Sequence, residues 1–180
     1  CGGFNLLSIN KKGNYRILRL DIGSELVKSI SNKIMLVYTG IVRNSSDIQK
    51  ESQKMNSSSR YKCLEQIAKL SNEVTKRILE ENLSFTKFSE YLEETWENKI
   101  KLFPDSDNTN KILEIYNKGI SSGAYSGKLL GAGGGGFLLF LVEENSQEKF
   151  IKSMSQYNVI KHRITNSPCK LLFNSQLEQK

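Results

Sequence analysis

Histidine occurs once in these 180 residues, and cysteine three times. A lone His162 cannot build a two-histidine zinc helix. Cys1, Cys63 and Cys169 are far apart, odd in number and free of any C-x-x-C pair. That excludes a disulfide framework and a cysteine zinc site, and makes a reducing, cytoplasmic setting the expectation. No apolar run approaches the roughly 18 residues that a membrane span needs. The longest, Phe137–Val142, suits a buried strand instead. Repeats, low-complexity tracts and an obvious interdomain linker are all missing. A starting methionine is missing too: Cys1 opens the chain, so a processed chain or a piece of a longer one is expected. Phe4, Leu6, Leu7 and Ile9 follow at once, unlike the polar tether of a lipid-anchored N-terminus.

What is present describes a globular chain. Hydrophobic residues make up 38%, charged residues 25%, and there are 13 glycines. A packed core is within reach and wholesale disorder is not expected. The length suits one ordinary domain or one and a half small ones. The net charge is +7, with the excess falling mainly in the first half. A basic half can meet nucleic acid, anionic lipid or a small phosphorylated ligand. Here the basic residues are scattered and no nucleic-acid recognition signature occurs, so most of them read as solvated surface.

Hydrophobic spacing then orders the chain. Residues 5–9 and 15–20 are rich in β-formers and flank Lys11-Lys12-Gly13-Asn14, which has hairpin-loop chemistry. Residues 34–39 form an apolar run ending at Gly40, the pattern of a buried strand. From there the period changes from 2 to 3.6. Ser46 with Gln49 has capping-box spacing for a helix reaching Met55. Tyr61, Leu64, Ile67, Ala68, Val74 and Ile78 predict a second helix. Phe85, Phe88, Leu92, Trp96, Ile100 and Phe103 predict a third, stopped by Pro104. Ile112, Ile115, Tyr116 and Ile120 predict a fourth, ending near Gly123. Strands at 129–130 and 137–142 are expected to flank a glycine run. Asn145 with Glu148 is expected to cap a helix bearing Phe150, Ile151 and Met154. Residues 158–164 and 170–173 close the chain as strands, with His162 at an exposed or half-buried strand position. Strands, grouped helices, then β-β-α-β-β make the fold class α+β.

One motif stands out. In Gly131-Ala132-Gly133-Gly134-Gly135-Gly136, each glycine costs roughly 0.5–1 kcal/mol relative to alanine in regular structure. Positive φ, or a backbone approach too close for a Cβ, would justify that cost, and free amides in such a loop can form an anion-binding concavity. The run satisfies G-x-G-x-x-G, but a strand-like apolar run follows where a dinucleotide fold needs a helix N-terminus. The preceding Gly123-Ala124-Tyr125-Ser126-Gly127-Lys128 falls one residue short of a P-loop, and Leu129 stands where a hydroxyl should hold magnesium. A tight connection between closely packed strands stays open as the plainer alternative. A quieter group is Tyr38-Thr39-Gly40-Ile41-Val42-Arg43. There Arg43 could meet an anion near a helix N-terminus, or simply be an exposed arginine at a strand exit.

Together these segments resemble the C-terminal part of the GHMP superfamily of small-molecule kinases. Residues 122–137 are similar to that superfamily's third, glycine-rich motif. Cys1-Gly2-Gly3-Phe4-Asn5, Tyr38-Thr39-Gly40 with Arg43, and Trp96-Glu97-Asn98-Lys99 resemble its heptose 7-phosphate kinase branch. The likeness spans most of 1–175. It implies a ferredoxin-like C-terminal domain with inserted helices over 31–180, preceded over 1–30 by the last strands of an ATP-binding, ribosomal-S5-like N-terminal domain. It implies transfer of the ATP γ-phosphoryl group to the anomeric hydroxyl of a heptose 7-phosphate, with ATP and Mg²⁺ as cofactors. Thr39, Gly40 and Arg43 would line the sugar side, with Arg43 toward an anionic group. Gly131, Gly133, Gly134, Gly135 and Gly136 would let main chain press beside the nucleotide loop or the substrate. Lys128 is a lesser candidate, and no metal ligand is expected. By resemblance, the nucleotide loop and the aspartate commonly taken as base would lie before Cys1, so ATP would be gripped by that domain and these residues alone are expected to be inert. A stand-alone, non-catalytic sugar-phosphate-binding or regulatory module is the alternative. Phe103-Pro104-Asp105-Ser106-Asp107 departs from the family, whose connection there is shorter and less acidic.

Overall fold

Phe137–Val142, six apolar residues without a polar break, can be so only because both of its faces are covered. In the computed structural model, which describes residues 2–20, 22–42, 57–103, 106–131 and 134–165, this segment is an inner strand of a four-stranded antiparallel sheet. The strands are β3 (Ile34–Tyr38), β4 (Ala124–Leu129), β5 (Phe137–Val142) and β6 (Val159–Lys161), in spatial order β4-β5-β3-β6. With helices between β3 and β4 and between β5 and β6, this is the β-α-β-β-α-β ferredoxin-like arrangement that the resemblance implied. A separate antiparallel hairpin, β1 (Asn5–Ile9) and β2 (Tyr15–Arg19), precedes it. The hairpin turn is pinned by Asn10, whose Oδ1 accepts from the backbone N–H groups of Lys12 and Asn14 at 2.9 and 3.0 Å.

Five α-helices complete the described chain: α1 (Ser24–Asn32), α2 (Ser57–Leu79), α3 (Phe85–Ile100), α4 (Asp107–Ser121) and α5 (Gln147–Ser153). Among the described residues no helix is long and apolar enough to cross a membrane. Alternation along β3 and β5 divides the core between the two sheet faces. Met35, Val37, Leu138, Phe140 and Val142 meet Trp96, Ile112, Ile115, Tyr116 and Phe150 in the larger cluster. On the opposite face Ile34 and Leu141 pack with Ile30, and with partly buried Phe4, Leu36, Phe88, Leu92 and Leu139. A third cluster, built on Leu70, Ile78 and Tyr91, joins α2 to α3.

Several expectations need correction. Helix α1 was not expected: at nine residues, with only Leu26, Val27 and Ile30 as its apolar stripe, it is too short to show a period. The strand placed at 129–130 is really β4, starting at Ala124, so the P-loop-like segment is itself a strand. Helix α3 stops at Ile100 with Lys101 as its C-cap, before Phe103 and Pro104. The last helix takes no side-chain cap. A 3₁₀ turn, Glu144–Ser146, leads into it, and Asn145 accepts from the Ser146 hydroxyl instead. The closing strand is shorter than 158–164, and His162 lies just past its end, exposed. Cys1, Cys169, the helix expected at 46–55 and the strand expected at 170–173 lie outside the described residues.

Candidate functional site at the glycine loop

Both motifs singled out by sequence lie at one end of the sheet, where β3 and β5 pair as far as Tyr38 and Phe137. Their rings are 5.1 Å apart, and the next residues on each side form a clasp. The Thr39 hydroxyl donates to the Gly136 carbonyl at 2.9 Å and accepts from the Ile41 N–H at 3.2 Å. Thr39 N–H donates to the same carbonyl at 2.9 Å, and Gly136 N–H donates to the Ile41 carbonyl at 2.9 Å. Thr39 is buried, while Gly40 beside it is exposed and turns the chain at φ +71°.

The glycines divide by their physical reason. Gly135, at φ +153°, lies so close to Ile41 that a Cβ there would overlap the Ile41 carbonyl. Gly131, at φ +68°, and Gly136, at φ +87°, have open space where a Cβ would go, so only their backbone angle favours glycine. Gly134 is half-buried in a bend. Gly136 spends both its N–H and its C=O on the β3 exit. It therefore has no amide to offer a ligand, and any backbone donor must come from elsewhere in the loop. Gly133 and Arg43 lie outside the described residues.

Two lysines flank the start of the loop. Lys99, on the last turn of α3, donates to the carbonyls of Leu129 at 3.1 Å and Gly131 at 2.8 Å. Burial, and then the neighbouring Lys128 ammonium, bring its pKa down to about 8. Lys128 sits in β4, opposite Leu139, and its side chain lines a groove of about 310 Å³ with Phe4, Leu92 and Thr95. Burial lowers its pKa as well. Among the described residues the Lys128 ammonium has no hydrogen-bond or ion-pair partner. The sequence singled out Lys128 but gave Lys99 no role. Lys99 stands three residues after the core residue Trp96, on the same side of the helix, but that spacing fits a solvated lysine equally well.

Among the described residues no three His, Cys, Asp or Glu side chains are grouped so as to hold a metal ion. The glycine loop leads into a strand, not a helix N-terminus, so it offers no aligned run of helix amides for a triphosphate. The described residues thus present neither a cluster of three metal-ligating side chains nor a helix-amide phosphate cradle at this loop. What they do offer is a rigid main-chain turn with two ammonium groups on its flank, suited to a small anion.

Residues 46–160 match the family described as GHMP kinases C terminal. The chain belongs to that family. A curated relative, the D-glycero-alpha-D-manno-heptose 7-phosphate kinase of Campylobacter jejuni, is 28% identical over 156 residues, which is 85% of this chain and 44% of that protein. The chain thus spans under half of that relative's length. Among solved structures, a D-glycero-D-manno-heptose 1-phosphate kinase from Bacteriodes thetaiotaomicron superposes with a TM-score of 0.59 at 19% identity, covering 91% of this chain and 42% of that one. A mevalonate kinase of L. major in complex with R-mevalonate gives 0.65 at 11% identity, covering 89% and 50%. At such identities these likenesses speak for the GHMP C-terminal fold alone.

Proposed function

We propose that this GHMP C-terminal domain is the acceptor-side part of an ATP-dependent sugar-phosphate kinase acting on the anomeric hydroxyl of a heptose 7-phosphate. The observation that carries the reading is the clasp between Thr39 and Gly136. It holds the β3 exit at Thr39 and Gly40 against the glycine loop, and Arg43 follows three residues later in the sequence. Phosphoryl transfer depends mainly on positioning and charge neutralisation, and a rigid turn flanked by cations supplies both. Thr39 and Gly40 shape the sugar side, Arg43 meets the acceptor's phosphate, and the loop main chain from Gly131 to Gly136 borders the reacting groups. Lys128, whose ammonium has no partner among the described residues, is the further cation available to an anion.

ATP and Mg²⁺ are the cofactors the family implies. On this reading they are held by protein outside these 180 residues, in the cytoplasm. The 180-residue chain alone then binds a sugar phosphate weakly and does not turn over. The heptose 7-phosphate relative supports the choice of acceptor.

The test is an ATP-dependent phosphorylation assay on the protein joined to any upstream coding sequence, with heptose 7-phosphates, hexose 6-phosphates, mevalonate and homoserine as acceptors. A heptose 7-phosphate is expected to be preferred. Failure to use any sugar phosphate would refute the reading, and turnover by the 180-residue chain alone would refute its inactivity.

A further inference from the structure

We propose that Lys99 is the positioning residue of the glycine loop. From a rigid helix, its ammonium grips two loop carbonyls and holds the main chain in the shape that the proposed phosphoryl transfer needs. The inference rests on the kinase reading for its purpose, but the grip itself stands on geometry.

A glycine loop has no side chains with which to brace itself. Around Gly131 there is open space where a Cβ would be, so no packing fixes this residue. Its orientation has to be fixed through the backbone. On one side the Leu130 N–H donates to the Phe137 carbonyl at 2.9 Å, the last rung of the β4–β5 pair. On the other side Lys99 donates to Leu129 and Gly131, the carbonyls that flank Leu130. The turn is thereby held from both edges.

The brace is anchored beside the buried core. Trp96, one turn before Lys99, is 2% exposed, and its ring lies 5.1 Å from that of Tyr116 and 6.0 Å from that of Phe103. A half-buried ammonium normally finds a carboxylate. Among the described residues Lys99 has none, and it stands beside a second cation, Lys128. Its hydrogen bonds go to main chain instead, and three donors on one ammonium suit two diverging carbonyls.

Two measurements test this. Hydrogen exchange on the 180-residue chain compares the wild type with Lys99→Met and Lys99→Arg. Exchange in residues 129–137 is expected to rise at least tenfold in Lys99→Met and much less in Lys99→Arg, with α4 unchanged in both. Unchanged exchange in the loop would overturn the grip, and so would a uniform rise across the whole chain. Kinetics on the catalytically complete protein are expected to show kcat falling at least tenfold in Lys99→Met. KM for the sugar phosphate should move less than threefold, and Lys99→Arg should recover part of the loss. A loosened loop with kcat unchanged would overturn the positioning role. A wild type without phosphoryl transfer would sink the kinase reading separately, leaving the exchange result to decide the grip.

Discussion

A Cβ placed on Gly135 would overlap the carbonyl oxygen of Ile41. The obstacle is backbone, which cannot rotate aside as a side chain can, and the Gly136 N–H is bonded to that same carbonyl. Gly135→Ala must therefore open the clasp. Gly131→Ala meets only its φ of +68°, a left-handed conformation that costs a non-glycine residue about 1–2 kcal/mol. In chemical denaturation Gly135→Ala is expected to lose clearly more stability than Gly131→Ala. Equal losses would mean that the Ile41 contact is not what demands glycine at 135.

Thr39 supplies the polar half of the same clasp. Its buried hydroxyl bonds Gly136 and Ile41 together, so Thr39→Val keeps the shape and removes both bonds. A stability loss of about 1–2 kcal/mol is expected, since the half-buried Ile41 N–H loses its acceptor while the Gly136 carbonyl keeps only the Thr39 N–H. Thr39→Ser retains the hydroxyl and should lose much less. If valine and serine behave alike in equilibrium unfolding, the hydroxyl is idle.

How far the sequence revealed this site can be judged from particular residues. The glycine run announced itself because a side-chain-free stretch is costly anywhere it is not needed, and Thr39-Gly40 because a strand visibly ended there. Their junction was hidden: residues nearly a hundred positions apart meet only through sheet pairing, which one-dimensional spacing does not carry. Lys99 was hidden for a related reason, since on a helix surface a lysine braced on carbonyls and a solvated lysine read alike. Strand β5 and helices α2 to α4 were legible because each carries several apolar positions at one period. Helix α1 has too few, and β4 was obscured by Gly127 and by a resemblance to a nucleotide loop.

Away from the loop, burial raises the Glu93 carboxyl above its ordinary pKa, partly offset by the Tyr116 hydroxyl, which donates to Oε1 at 2.8 Å. Its other oxygen, Oε2, is buried without a partner among the described residues, so ionisation there is poorly solvated. The folded state thus holds this proton more tightly than the unfolded state. The resulting stability is fully present below the ordinary carboxylate pKa of about 4.3 and is lost as pH rises through the raised value. Glu93→Gln has no proton to lose. The stability of Glu93→Gln relative to wild type should therefore rise with pH over that window. A pH-independent difference would show that Glu93 is not shifted in the folded protein.

The last prediction concerns a ring that two glycines admit. Phe140 is fully buried, 5.9 Å from the Tyr116 ring and 5.6 Å from that of Phe150. A Cβ on Gly119, in α4, would overlap its outer atoms, and one on Gly127, in β4, would come within 2.7 Å of Cδ1. Overpacking of this kind costs about 1–3 kcal/mol. The two sites differ in one respect: at Gly127 the new Cβ also meets the Leu139 carbonyl at 2.7 Å, whereas at Gly119 its three nearest neighbours are all atoms of the ring. Phe140→Leu removes the ring's outer atoms, so it should rescue much of Gly119→Ala and little of Gly127→Ala. A double-mutant cycle read by urea unfolding should give a favourable coupling of about 1 kcal/mol or more for the 119–140 pair. The 127–140 pair should give clearly less, because backbone cannot be trimmed. Equal couplings would show that the carbonyl yields as readily as the ring.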